Sequence, residues 1–455
     1  MLMNKTIFYS NLICLGLMLI VFISCSENIN EEVKCNVKML ELDLSLDEAL
    51  ALRIESNGST VIPEKEAILM VQKMFMEKVQ TKNNSFFEIK SCRKEFFDKI
   101  FTKSEENVSC YIVEFTKDGD MGFSIVSADY RVPEVFSFCE KGSISDTVSN
   151  KGLKLFCDEL AVYMRQKVSS YNQDSLYREV QMRVIKTKGW VDDGNIHTWT
   201  VPDVSYVPWD YTYMGSGDTG YEELVNEKLL KTKWGQADPY NGLLPLVSGI
   251  ETKNGKAWVG CQMVAVAQIM AYHKKVYKDI TLNDWNSITL MPDSYNKKLQ
   301  SLMYDLFYSM KIGDPKVSGT NSSLDKSAKF LKNNGYSVGG ECDYDYLDLQ
   351  RALNTCGPVL LRGGDSSGGH AWLVEGTKTV IVTNYDLYEK DDGYDIWRIK
   401  VDIGGTISQY LRCNWGQYGN ADGWYSSFTG YYDKGEGKKE PFNYTKNRKM
   451  LNGIK

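Results

Sequence analysis

Histidine is almost missing from this 455-residue chain: His197, His273 and His370 are the only three. Any chemistry that needs an imidazole must draw on one of them. Proline is scarce too, whereas glycine and tyrosine are abundant, a balance that favours strands and turns over a helical bundle. The eleven cysteines include no CxxC pair and no Cys/His cluster at metal-ligand spacing, so no zinc site and no cofactor are expected. The chain has no long basic run and a formal charge of −6, which excludes nucleic-acid binding driven by phosphate neutralisation. With 43% hydrophobic and 25% charged residues it has ample material for a core, so wholesale disorder is excluded. At about 150 residues per domain, the length suits two domains plus an export segment.

The apolar run Leu12–Ile23 would span about 18 Å as a helix, short of the ~30 Å hydrocarbon core, so it reads as the core of a signal peptide. Ser24-Cys25 follows directly, then polar Ser26-Glu27-Asn28. A small residue before such a cysteine resembles a bacterial lipoprotein signal, with residues 1–24 removed and Cys25 lipidated. Ordinary cleavage and full secretion is the alternative. The expectation is an exported protein, either an outer-membrane or cell-surface lipoprotein touching the membrane only through Cys25, or one secreted after processing. Without Cys14 and Cys25, nine cysteines remain in the exported part, and an odd number leaves at least one free thiol or an intermolecular bridge.

Ile62-Pro63-Glu64 opens a helix, with apolar residues at Ile68, Val71, Met74 and Phe75. Tyr111–Phe115 and Gly122–Ser127 read as strands joined at Lys117–Asp120, Val135–Phe138 as a third, and Leu153, Phe156, Leu160, Met164 and Val168 recur at helical spacing. This α+β unit, with a core of its own, would occupy 25–190. The polar stretch with Arg178, Arg183, Lys186 and Lys188 then reads as an exposed basic linker, with the boundary at 180–200 and a cleavage site near it. The second domain, 191–455, has its clearest helix at Gly260–Tyr272. Strands follow at His370–Glu375, Thr379–Thr383, Tyr394–Val401 and Gln409–Asn414, with turns at Gly376-Thr-Lys378 and Asp391-Asp-Gly393. Helices first and an antiparallel sheet afterwards make it α+β.

Cys261 stands at a helix start, where unpaired N–H groups and the macrodipole favour an anion; a thiol there ionises more easily, and the thiolate is the nucleophile. The bland reading is a small buried apolar residue. A thiolate needs an imidazole that can later protonate a leaving amine. His273 lies twelve residues along the same helix, about 18 Å away, and cannot reach it. His197 falls in the irregular linker. His370 follows the glycine-rich Gly363–Gly369 and begins a strand, so it can project from a sheet edge. Asn414, beside Trp415, ends a strand and offers an amide to orient the ring, and Gln236 is a candidate oxyanion donor.

The order Gln, Cys, His, Asn-Trp resembles the papain-like peptidases, and more closely the streptopain family, bacterial secreted cysteine peptidases made as zymogens. The resemblance rests on Leu229-Leu-Lys-Thr-Lys-Trp-Gly-Gln236, on Gly260-Cys261 running into Ala267-Gln-Ile-Met-Ala-Tyr-His273, on Gly369-His370-Ala371, and on Asn414-Trp415-Gly416 with Asp422-Gly423. It covers about 225–430, and Ser127-Ala-Asp-Tyr-Arg-Val-Pro133 extends it to the family's propeptide. It implies a two-lobed catalytic domain, a helical lobe plus a sheet lobe, behind a smaller inhibitory pro-domain. It also implies Cys261 as nucleophile, His370 as base and acid, Gln236 as oxyanion donor, and Asn414 with Trp415 as supports. Protein or peptide substrates and the chain's own propeptide would be the partners. Two departures stand out: Gln262-Met263 is bulky and bears on substrate preference, and Cys413 beside Asn414 is open to oxidation near the site. Amide hydrolysis of cell-wall peptides, acyl transfer by the same Cys/His pair, and a catalytically silent surface-binding lipoprotein remain as alternatives.

Overall fold

The computed structural model describes residues 36–79, 87–96, 108–191, 210–290, 296–365, 368–391, 393, 395–433, 439–443 and 447–455. The segment expected to be a signal peptide, Cys25 and His197 lie outside them. The N-terminal part opens with β1 (Asn36–Leu44) and α1 (Leu46–Asn57), neither foreseen from the sequence. A reciprocal capping box fixes the start of α1: Ser45 Oγ accepts from the Glu48 amide, and the Glu48 carboxylate accepts from the Ser45 amide. Next come α2 (Glu64–Val79), β2 (Phe87–Phe96), β3 (Ser109–Lys117), β4 (Asp120–Ser127), β5 (Val135–Cys139), α3 (Lys151–Ser170) and α4 (Gln173–Val191). Strands β2 to β5 form an antiparallel meander, of which β3, β4 and β5 were expected from the sequence and β2 was not.

The C-terminal part contains β6 (Thr212–Glu227), α5 (Cys261–His273), α6 (Leu282–Leu290), α7 (Lys297–Met310) and α8 (Leu324–Asn333). β7 (Glu341–Asp343), α9 (Tyr346–Cys356), β8 (Val359–Asp365), β9 (Gly368–Asp391) and β10 (Asp395–Asn414) follow, then β11 (Gly423–Ser426), β12 (Thr429–Asp433), β13 (Lys439–Asn443) and β14 (Lys449–Leu451). Helix α5 is the axis of the helical lobe. From Gln262 to Ala271 every residue is buried, because Ala265, Ala267 and Ala271 let neighbours approach on all sides. The main sheet runs β2-β3-β4-β5-β11-β10-β9-β8-β14-β7. The two parts therefore share one sheet, joined where Phe138 and Ser137 of β5 pair with Trp424 and Tyr425 of β11.

Several sequence expectations change. Residues 180–191 are not linker but the end of α4, and Tyr177, Val180 and Val184 are buried. The connection is thus confined to 192–209, outside the described residues, a stretch with no Lys or Arg and four aromatic or histidine side chains at His197, Trp199, Tyr206 and Trp209. The turn expected at Gly376–Lys378 lies inside the single strand β9, where Thr, Val and Ile continue the extended chain; the Asp391–Gly393 turn is present. The stretch 212–227, read as irregular, is β6, paired antiparallel with β9.

The N-terminal part packs Ile62, Val71, Val113, Phe115 and Tyr130 into a cluster of its own elements, but its core is not separate from the C-terminal part. Phe156, Leu160 and Met164 of α3 share one cluster with Trp372, Tyr425, Phe428 and Met450 of the C-terminal part. Across it, Glu159 and Arg448, both almost fully buried, form an ion pair, with the guanidinium over the Trp372 ring at 5.6 Å. Removing one partner of such a pair strands a buried charge, at a cost of about 3–5 kcal/mol. Glu159→Leu is therefore expected to lower the urea midpoint of the intact chain markedly, and the double variant with Arg448→Met to recover most of the loss. A single variant that unfolds at the wild-type urea concentration would remove the pair from the joint.

Candidate active site

Cys261 opens α5 with no side chain capping the helix. Gly260 before it has φ 102°, and a Cβ there would come within 3.0 Å of the Thr320 carbonyl oxygen, so only glycine permits this bend. The first-turn amides are thus left open beside the thiol. Strand β8 pairs with β9 so that His370 faces Gly363, and the next amide, Ala371 N–H, donates to Cys261 Sγ at 3.4 Å. The buried His370 ring has Nε2 2.9 Å from the Trp415 carbonyl oxygen. A carbonyl only accepts, so Nε2 carries a proton, and Nδ1 is left to exchange one with the thiol. The indole of Trp372 lies parallel to the imidazole with centroids 6.4 Å apart, and Trp415 tilts against it at 6.2 Å.

Burial alone would raise the Cys261 thiol. The charge and hydrogen bond of His370, the Ala371 amide and Lys151 outweigh it and bring the pKa down to about 7. Elsewhere burial prevails and pushes Cys110, Cys139, Cys157 and Cys413 up. Eight described cysteines are free, so an odd count does not single out Cys261; its environment does. Alkylation should therefore reach half its maximal rate near pH 7, with the reactive thiolate present above that pH and lost below it. In His370→Ala the midpoint should move up by more than one unit, toward a free thiol. Rates measured from pH 5 to 10 check this, and identical profiles would undo the pairing.

Of the five expected site residues, Cys261, His370 and Trp415 meet directly. The orienting role expected of the Asn414 amide falls instead to the Trp415 backbone oxygen. Asn414 Oδ1 accepts from Gly416 N–H at 3.1 Å and from Gln268 Nε2 at 3.1 Å, while its Nδ2 donates to the Thr232 carbonyl at 3.2 Å. Gly416 N–H and the Trp415 carbonyl belong to one peptide unit, so Asn414 polarises and fixes the group that holds His370, one peptide removed. Gln236 is placed through its backbone: its carbonyl accepts from Val259 N–H at 2.9 Å, two residues ahead of Cys261. Gln268 Oε1 accepts from the Trp234 amide at 3.3 Å, tying the Gln236 loop and the Asn414 turn to the same face of α5. Asp422 holds the turn from the other side: its carboxylate accepts from Trp415 N–H at 2.9 Å and from Lys233 Nζ at 3.2 Å.

Both departures noted in the sequence lose their significance. Gln262 and Met263 point away from solvent, Gln262 Nε2 donating to Ser327 Oγ at 2.8 Å, so neither selects substrates. Cys413 is buried and its thiol is raised, which makes it inert toward oxidants. His273, wedged between Tyr272 and Tyr336, is structural.

The sequence did not reveal the site's upper wall, because it comes from the N-terminal part. Asn150 caps α3 through Oδ1 and donates from Nδ2 to the Asn420 carbonyl at 3.3 Å; Lys151 Nζ donates to the Ser318 carbonyl. Gly152 lies directly on the Trp415 and His370 rings. A methyl there would sit 2.2 Å from Trp415 Cε3 and 2.8 Å from His370 Cδ2. The first turn of α3 thus covers the face of His370.

Comparisons with known proteins agree with this arrangement. The Peptidase C10 family matches residues 234–425, and the Spi protease inhibitor family matches 59–164. Streptopain of Streptococcus pyogenes is 22% identical over 338 residues, covering 64% of this chain and 71% of that protein; the streptopain of serotype M1 gives the same figures. The thiol at the head of α5 lies within the first match and the unit that covers it within the second: this chain is a cysteine-type peptidase with a Peptidase C10 domain, similar to streptopain, preceded by a Spi-type inhibitor domain as its propeptide.

Proposed function

We propose that this protein is an exported endopeptidase that cuts protein substrates through a thioester on Cys261. The observation that carries the reading is the Cys261 thiol, lowered to about 7 beside an imidazole whose far nitrogen is locked on the Trp415 carbonyl. The Cys261 thiolate adds to the scissile carbonyl carbon, and the oxygen takes the charge toward the Gln236 amide and the open amides of α5. As the C–N bond breaks, Nδ1 of protonated His370 gives its proton to the leaving amine. The neutral imidazole then takes a proton from water, the hydroxide adds to the thioester, and Cys261 leaves as thiolate. Nε2 keeps its proton throughout, held by Trp415.

Latency follows from α3, whose first turn occupies the space over His370 that a substrate needs. Release requires a cut in 192–209, giving a catalytic chain of about 250 residues, an ordinary domain size. Expression of residues 25–455 with reductant should give self-processing, then casein degradation, with muropeptides left intact. Muropeptide cleavage without casein cleavage would move the assignment to a cell-wall amidase. Retention at a membrane through Cys25 is part of the same proposal. Cys25→Ser should release the protein or leave its signal uncleaved, and a soluble wild type beginning elsewhere would end the lipoprotein reading.

A further inference from the structure

Strands β9 and β10 are far longer than the catalytic site needs. Beyond the main sheet they continue as an arm, residues 384–391 and 395–403, closed by the Asp391–Gly393 turn. In the arm the order is β1-β10-β9-β6. β6 pairs with the outer edge of β9, and β1 runs parallel along the outer edge of β10 in unbroken register from Asn36 opposite Asp395 to Leu44 opposite Ile403. Along β9 the arm begins fourteen residues past His370, about 45 Å of extended chain.

One face of the arm presents Tyr388, Trp397, Ile399, Val401 and Ile403, all buried. Their cover is Leu40, Leu42 and Leu44 of β1, Ala49 and Leu52 of α1, and Tyr177, Val180 and Val184 of α4. At its centre the fully buried Asp386 receives Arg53, with Nη2 to Oδ1 at 2.5 Å and Nε to Oδ2 at 3.2 Å. Apart from Tyr211 and Tyr213, which follow the 192–209 connection and stay with β6, every covering residue precedes it. When the pro-unit leaves, the arm keeps β6, Tyr211 and Tyr213 on one side and on the other loses a paired strand, most of the cover of an apolar face and the Arg53 partner of Asp386. An unpaired edge with an apolar face is a template for an extended chain.

We propose that in the activated enzyme this arm is an exosite for an extended segment of a protein substrate, which adds to β10 as β1 does in the precursor. The proposal rests on the peptidase reading above. The seated segment displays the chemistry recognised: aliphatic side chains at alternate positions, as at Leu40, Leu42 and Leu44, with an acidic residue, Glu41, opposite Lys400. A further basic residue can reach Asp386. Because the arm is remote from Cys261, only a long chain engages both. The exosite therefore favours unfolded or extended proteins and is blind to short peptides.

The test starts from the intact chain, cut in 192–209 by limited chymotrypsin digestion and separated from its N-terminal fragment. The probe is a fluorescein-labelled peptide of residues 36–57. With Cys261→Ala protein it should bind saturably, and a peptide with Leu40→Ser and Leu42→Ser should bind at least tenfold more weakly. With wild-type protein, saturating unlabelled peptide should slow casein hydrolysis at least fivefold and leave a fluorogenic tetrapeptide within twofold. The exosite is overturned if the peptide fails to bind, if the serine variant binds equally, or if casein and tetrapeptide are slowed alike or casein not at all. It is also overturned if the N-terminal fragment stays on the arm or two arms pair into a dimer. If the peptide binds as expected to a protein inert toward casein and tetrapeptide, the peptidase reading and with it the exosite role fall, and the docking surface alone remains.

Discussion

Cys261→Ala is expected to abolish peptide hydrolysis, a loss of at least four orders of magnitude in kcat, while leaving the fold intact. The thiol is the one atom set in the chain that forms a bond to substrate, and its removal takes away a side chain scarcely larger than a methyl from a half-buried position. His370→Ala should lose activity almost as completely, for two reasons. The thiol loses the partner that lowers it, and the leaving amine loses its proton donor. The double variant should be little worse than either single one, because the two groups act as a unit. Asn414→Ala should be milder, about five- to tenfold in kcat/KM. It removes one hydrogen bond, worth about 1 kcal/mol, from the peptide that holds the ring and none from the ring itself. The measurement is kcat/KM on a fluorogenic peptide, with circular dichroism to confirm folding. If His370→Ala retained turnover while His273→Ala lost it, the base assignment would have to be withdrawn.

Gly152→Val in the full-length chain is expected to break latency without any cut. Position 152 has no room for a side chain, since even a methyl would overlap Trp415 and crowd His370. Either the first turn of α3 lifts or the catalytic rings move. The turn is held at this point by two polar contacts, from Asn150 to the Asn420 carbonyl and from Lys151 to the Ser318 carbonyl, and by buried Leu153, whereas the rings are locked among Trp372 and Tyr425 on the sheet. The turn is therefore the element that yields. In a variant whose linker is protected from cleavage, tetrapeptide hydrolysis should rise at least tenfold over the equally protected wild type. An uncut Gly152→Val chain as silent as its parent, yet folded, would show that the contact over His370 is not what imposes latency.

What could be read in the sequence and what could not divide along physical lines. Strands β3–β5 and helix α3 were legible because each carries its own apolar pattern and its own turn or cap, and helix α5 because a run of small and apolar residues follows Gly260 without a break. Cys261 and His370 were legible because histidine is so rare that elimination decides. β6 was not, since its alternation of half-buried and exposed residues contains glycine and charge in place of the usual apolar positions, and its pairing with β9 comes from tertiary context. The limits of α4 were misjudged because an amphipathic helix rich in Arg and Lys has the composition of a linker. The ring holder was misassigned because a backbone carbonyl leaves no mark in a sequence: any residue at 415 would offer one, and only the fold shows which carbonyl turns toward Nε2. Gly152 was invisible for the same reason, as one glycine among 37.

The shared core has a consequence for how long the activated enzyme lasts. Phe156, Leu160 and Met164 complete the cluster around Trp372, Tyr425 and Met450, and β5 completes the sheet beside β11. A catalytic unit that folds against this surface and then sheds it is left without part of the apolar burial that made its native state an equilibrium minimum. Its persistence afterwards is governed by the height of the unfolding barrier and not by the depth of the well. Activation then becomes a one-way step that also starts a clock: once denatured, the processed enzyme has no template against which to find its way back.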